Sequence, residues 1–174
     1  PLWIRKGIEI TPQLLGGPQE NGHRAGTENI SGILGLAAAL QKVGRDREII
    51  NQHLQQIRSH LLKRMTIEIP EAVINGNPEY STSHIVSARF PGAVAEMMLL
   101  LLSQAGIAVS LGSACTSRDI EPSHVLLAMM QSHQEIESTL RISMGYPTTL
   151  EEIDLFMDVL PSIYHKCLTG GEHA

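Results

Sequence analysis

From Ala72 to Lys166 short β-like runs alternate with helical ones, and no other feature constrains the fold as much. Strand patterns fall at Ala72–Ile74, Ile85–Phe90, Ile107–Val109 and Thr139–Ser143, with the turn signal Asn75-Gly76-Asn77-Pro78 between the first two. The leucine-rich run 93–104 reads as a buried helix that stops at Gly106, and 122–131 as a second helix with Pro in its first turn. Thr149 and Glu152 form a capping box that opens a last helix reaching Lys166. Such alternation belongs to the α/β or α+β class, with a small sheet of three or four strands.

The first seventy residues have another character. Residues 1–5 look like the end of a strand, and Gly7 to Gly26 is a Gly- and Pro-rich connection. Thr27 is placed to cap a helix running to about Val43, with Glu28 in its first turn. A second, amphipathic helix follows from about Asp46 to Met65, with Ile49, Ile50, Leu54, Ile57, Leu61 and Leu62 on one face. The 174 residues suffice for a hydrophobic core without staples. The start at Pro1 suggests part of a longer protein.

Composition excludes several functions. A net charge of −5 with no basic stripe argues against a nucleic-acid surface, and 3% aromatics leave no stacking platform. Cys115 and Cys167, far apart, make no disulfide framework and read as reduced cytoplasmic thiols. The longest apolar run is interrupted by Glu96 and is too short for a bilayer. The eight histidines are scattered without His-Glu-x-x-His or Cys-x-x-Cys spacing, so no closed metal site is expected.

Three places could carry chemistry. Cys115 lies in Gly112-Ser113-Ala114-Cys115-Thr116-Ser117, a run of small and hydroxyl residues that displays its thiol on a loop. It reads equally as a nucleophile or as a loop cysteine with no role. His124 is the nearest candidate helper and reads first as an exposed histidine. Arg141, between Leu140 and Ile142, either faces solvent or reaches out to grip a carboxylate in the bidentate manner of a guanidinium. The stretch Gly16 to Asn29 is a Gly-rich loop ending in Thr27, a pattern that can hold phosphate but more often makes only a turn.

Together these blocks resemble cysteine desulfurases of the NifS/IscS type. Gly16-Gly17, Gln19-Glu20, Gly22, Arg24 and Gly26-Thr27-Glu28-Asn29 are similar to that family's glycine stretch. Gly112 to Ser117, continued by Glu121-Pro122-Ser123, resembles its persulfide loop, and Leu140-Arg141-Ile142-Ser143-Met144-Gly145 its L-R-x-S-x-G segment. The resemblance implies the C-terminal part of a type I pyridoxal-phosphate-dependent transferase fold, with a small mixed sheet covered by helices. Residues 1–26 would end a large cofactor-binding domain, 27–167 would form a small domain with an inter-domain helix, and 168–174 a frayed tail.

It further implies a cytoplasmic homodimer that converts L-cysteine to L-alanine. Cys115 would receive the sulfur as a persulfide for an iron–sulfur scaffold or another acceptor protein. Arg141 would hold the substrate carboxylate, and Thr27 the phosphate of pyridoxal 5'-phosphate across the dimer; Arg24 receives no role. The family's Schiff-base lysine sits in an S-x-H-K-type segment, and none of Lys6, Lys42, Lys63 or Lys166 has that context. The chain alone is therefore expected to be inactive. The competing readings are a stand-alone persulfide carrier or interaction module without pyridoxal chemistry, and a selenocysteine lyase-like enzyme on the same scaffold.

Overall fold

The computed structural model describes residues 1–111, 115–116, 119–120, 122–129 and 131–168; for 78, 115, 116, 119 and 120 it describes the backbone alone. The chain divides into two compact units, Pro1–Arg47 and Glu48–Ala174. Helix α1 (Ile30–Glu68) contributes residues to both.

In the first unit residues 1–5 form no strand: Leu2 and Trp3 are 73% and 80% exposed, and no neighbouring strand among the described residues supplies ladder hydrogen bonds. A short 3-10 turn, Gln19–Gly22, follows the Gly16-Gly17 pair of the connection. Helix α1 starts later than the sequence suggests. Asn29, not Thr27, caps it, since Asn29 Oδ1 accepts from the Gly32 N–H at 3.1 Å. Nor do two helices meet near Gly44. One helix continues through that glycine, a local cost of about 1 kcal/mol relative to alanine.

The second unit is built on a four-stranded sheet in the order β1-β2-β6-β3. Its strands are β1 (Val73–Ile74), β2 (Ile85–Arg89), β3 (Ser110–Leu111) and β6 (Thr139–Ser143). Every pairing in it is antiparallel, where the sequence reading expected a mixed sheet. The reason lies in the connections. Helix α2 (Ala95–Gln104) carries the chain from β2 to β3, and β6 then inserts between those two strands. β2 and β3 therefore run the same way without touching, a split β-α-β unit. β3 begins at Ser110 rather than Ile107 because the Ile107 N–H is still bonded to Leu102 O, in the last turn of α2. A separate two-stranded ribbon pairs β4 (Cys115–Thr116) with β5 (Asp119–Ile120).

One face of the sheet is covered by the second half of α1, by α2 and by α5 (Leu150–Lys166). Val86, Ala88, Leu140 and Ile142 point into that core. They meet Leu54, Ile57, Leu61 and Met65 of α1, whose spacing of three, four and four keeps them on one side. Ile49, expected on that face, is exposed; Met65 takes the buried register instead. Each such side chain contributes about 1.5–3 kcal/mol by leaving water. α1 and α5 are also tied by Arg64, which bonds Asp154 and Asp158 across the helices and Glu68 within its own, and by His60 to Asp154 at 2.7 Å.

Over the other face lie two short helices, α3 (His124–Ala128) and α4 (His133–Glu137), where the sequence suggested one. The break has a local cause. Ser132 and Glu135 form a capping box that starts a new helix just after α3 ends. The Thr149–Glu152 box that opens α5 forms as expected. Leu168 closes the described chain with a β-bridge to Ala93; residues 169–174 lie outside it. No described helix is long and apolar enough to cross a membrane.

Candidate functional site

Strand β6 alternates strictly between its faces after Thr139. Leu140 and Ile142 enter the core, so Arg141 and Ser143 must point to the opposite, open face. Arg141 is exposed there, and among the described residues its guanidinium has no hydrogen bond or ion pair. None of its five N–H donors is taken by a described residue. An arginine held on a rigid strand with an unspent fork is suited to a carboxylate or phosphate.

The register places a polar residue on each side of Arg141. Ser87 of β2 is directly opposite on one flank and Ser110 of β3 on the other. Asn75, just beyond β1, extends the row by bonding Ser87 twice: its backbone N–H donates to Ser87 O at 2.9 Å, and its Nδ2 to Ser87 Oγ at 3.1 Å. The row one step towards the start of β6 is covered. Thr139 is fully buried, and Arg89 is paired with Glu135 of α4. α4 thus roofs the sheet at Arg89 and Thr139 and stops short of Arg141.

Cys115 opens β4, whose backbone pairs Cys115 with Ile120 and Thr116 with Asp119. Its side chain, and residues 112–114, 117–118 and 121, lie outside the described residues. Chain connectivity still binds it to Arg141. Ser110 and Leu111 pair with Arg141 and Leu140, and β4 follows within four residues of Leu111. The return segment enters α3 through Ser123, whose Oγ accepts from Leu126 N–H. His124, the suggested helper, is exposed at the start of that helix. A cleft of ≈ 590 Å³ touches Leu111 and Pro122 at the two roots of this segment and is lined by Arg89, Glu96, His133 and Glu135.

The other cysteine has the opposite setting. Cys167 is 3% exposed at the C-cap of α5, and burial pushes its thiol above the ordinary range. Tyr164 is raised too, by burial first and by Glu71 second, and its hydroxyl donates to Pro91 O at 2.8 Å. Both groups are built for packing, not for reaction.

Thr27 belongs to the first unit and follows Gly26, the last residue that lines a cup formed by residues 13–17, 19, 25 and 26. Gly26 N–H donates to Gln19 Oε1 at 3.1 Å, and Arg24 Nη1 to Thr27 O at 3.0 Å. Gly26 has φ +93°, a left-handed conformation that a side chain would strain. Glu20 and Asn21 adopt left-handed values, φ 50° and 55°, without being glycine. Such residues cost about 1–2 kcal/mol each and are held by their surroundings. The exposed Thr27 hydroxyl has no partner among the described residues, so its donor and acceptor capacity fits a phosphate oxygen.

Sequence reasoning named Arg141, Cys115 and Thr27 as candidates and did not name Ser87, Ser110 or Asn75 among them. Ser87 and Arg89 are polar residues two apart in β2, which was a signal. Its meaning depends on a register that no local pattern reveals.

Comparison with known proteins identifies the family and the fold. Residues 13–156 match the family described as aminotransferase class-V. Over 165 residues the chain is 41% identical to the cysteine desulfurase IscS of Methanosarcina thermophila, spanning 95% of this chain and 41% of that protein. It is 40% identical to a cysteine desulfurase of Klebsiella pneumoniae with the same coverage. A solved NifS-like protein superposes with a TM-score of 0.80 at 32% identity, covering 94% of this chain and 41% of that one. The chain thus spans about two-fifths of the length of these relatives.

Proposed function

Since this chain belongs to the aminotransferase class-V family, we propose that it supplies the C-terminal part of a cysteine desulfurase, which converts L-cysteine to L-alanine and keeps the sulfur as a persulfide on Cys115. The observation that carries this reading is Arg141, unpartnered among the described residues and cross-strand from the β3 end that leads to Cys115. The residue that faces the carboxylate grip, Ser110, thereby lies only five positions before the thiol-bearing residue in the chain.

In this reading Arg141 takes the substrate carboxylate in its fork and fixes the amino acid on the open face. The Cys115 thiolate attacks the substrate sulfur. An S–S bond forms as the carbon–sulfur bond breaks, and that bonding pair stays on the three-carbon fragment, which takes up protons and leaves as L-alanine. Pyridoxal 5'-phosphate supplies the electron-withdrawing ring that makes this pair transferable. Thr27 would hold its phosphate, and residues 1–26 would belong to the domain that binds it. The lysine that anchors the cofactor comes from outside this chain, so these 174 residues alone release no alanine. The protein acts as a cytoplasmic homodimer that passes sulfur to an iron–sulfur scaffold or a comparable acceptor.

The test is alanine formation from L-cysteine and pyridoxal phosphate by the longest protein that contains this chain. Cys115→Ser and Arg141→Ala each abolish turnover if the reading holds. Turnover that survives Cys115→Ser overturns it, and turnover by the 174-residue chain alone overturns the claim that its lysines do not serve.

A further inference from the structure

The row Asn75, Ser87, Arg141, Ser110 runs from just beyond β1 across β2, β6 and β3, and its hydrogen bonds have a direction. Thr139 Oγ1 donates to Glu135 O at 2.7 Å, so its one proton is spent and it can only accept. Asn75 Nδ2 lies 3.4 Å from that oxygen, which requires the amide NH₂, not the carbonyl, to face Thr139. The other end agrees: Gln131 Nε2 donates to Asn75 Oδ1 at 2.7 Å. The same NH₂ then donates to Ser87 Oγ, which therefore acts as acceptor.

The Ser87 proton is left over, and among the described residues it has no acceptor. The Ser110 hydroxyl has no partner either. Directly opposed residues on neighbouring strands share a face with Cβ atoms about 4.5–5.5 Å apart. Both hydroxyls therefore flank the Arg141 side chain. A bound carboxylate offers about four lone-pair sites, and a guanidinium fork fills two. The rest need donors once water is displaced.

We infer that Ser87 and Ser110 complete the carboxylate site of Arg141, with Ser87 held as a proton donor by the Gln131–Asn75 chain. This rests on the reading that Arg141 receives a substrate carboxylate. Asn75 touches no ligand and is a positioning residue. Its bond to Ser87 Oγ polarises that hydroxyl and fixes its proton away from β1. The site recognises a free α-amino acid and rejects its amide, which would leave the arginine fork and both hydroxyls without an anion.

The test is a titration of the ¹⁵N-labelled chain with L-alanine, followed by the amide shifts of Ser87, Ser110 and Arg141, with L-alaninamide as the control lacking a carboxylate. The expected result is saturable binding of alanine alone. Ser87→Ala weakens it about three- to tenfold, the size of one lost hydrogen bond, and Ser87→Thr, which keeps the hydroxyl, restores most of it. Asn75→Ala weakens it similarly, and the double variant is no weaker than Ser87→Ala alone. Arg141→Lys weakens it further by removing the fork.

Unchanged affinity in Ser87→Ala beside a large loss in Arg141→Lys overturns the serine assignment and leaves the carboxylate reading standing. Equal affinity in Arg141→Lys, or no saturable alanine binding to the unmodified chain, overturns the carboxylate reading itself. Spectral dispersion and the Ser87→Thr rescue separate lost binding from lost folding.

Discussion

Glu135 does two jobs, and the structure lets them be measured apart. Its Oε2 closes the α4 capping box, accepting from Ser132 N–H at 2.8 Å and from Ser132 Oγ at 2.9 Å. Its Oε1 pairs with Arg89, whose side chain is 22% exposed and whose Nε is buried without a partner. α5 offers an internal control. Glu152 closes the same kind of box with Thr149, its carboxylate accepting from Thr149 N–H at 2.9 Å, and makes no ion pair among the described residues. Glu152→Ala should therefore cost one capping contact, about 1 kcal/mol. Glu135→Ala should cost the same capping term plus about 1–3 kcal/mol for a half-buried guanidinium left with a second unsatisfied nitrogen. The sum is about 2–4 kcal/mol. Glu135→Gln keeps a box-competent side chain and should show the arginine term alone. Adding Arg89→Met to Glu135→Gln should recover part of that loss.

Urea melts of these variants at neutral pH, with m unchanged, give the comparison directly. Equal destabilisation of Glu135→Ala and Glu152→Ala, within about 0.5 kcal/mol, would refute the claim that Arg89 depends on Glu135. The outcome bears on the site because α4 roofs the sheet one row from Arg141.

Other perturbations have equally definite outcomes. Leu61, fully buried on α1, should cost about 2–5 kcal/mol as Leu61→Ala in the same melts, and a loss below 1 kcal/mol would contradict its place in the core. Hydrogen bonding from His60, then from Arg64, holds the Asp154 carboxyl below its ordinary 3.8, so its stabilising effect is present above that value and fades as pH falls through the lowered one. Thermal melts should accordingly show native and Asp154→Asn chains clearly separated at neutral pH and converging in acid, and a constant gap would refute the assignment. Cys167, buried with a raised thiol pKa, should resist iodoacetamide in the folded chain and react once denatured. Peptide mass spectrometry reads this, and rapid labelling of the native protein would show that α5 opens.

Where hydrogen bonds are local, the sequence was a reliable guide. The Thr149–Glu152 box, the stop at Gly106 and the strands 85–89 and 139–143 were visible because periodicity and capping act within a few residues. Gly44-Arg45-Asp46 misled because a glycine before a capping-type residue looks like a boundary, yet the helix runs through it. Thr27 misled as a cap because Asn29 competes two residues later with a better-placed oxygen. The insertion of β6 between β2 and β3 was not legible, since strand order depends on contacts across fifty residues. For the same reason Arg141 was found from its motif, while Ser87, Ser110 and Asn75 emerged only from the register.

The central claim, that this chain receives sulfur on Cys115 from an amino acid held by Arg141, meets its most direct test in one measurement. The longest protein containing the chain is incubated with pyridoxal phosphate and L-cysteine, alkylated, digested and analysed by peptide mass spectrometry. The account predicts one added sulfur atom on the peptide carrying Cys115, none on the peptide carrying Cys167, and its loss in Arg141→Ala. Sulfur on Cys167, or on Cys115 at an undiminished level in Arg141→Ala, would contradict it.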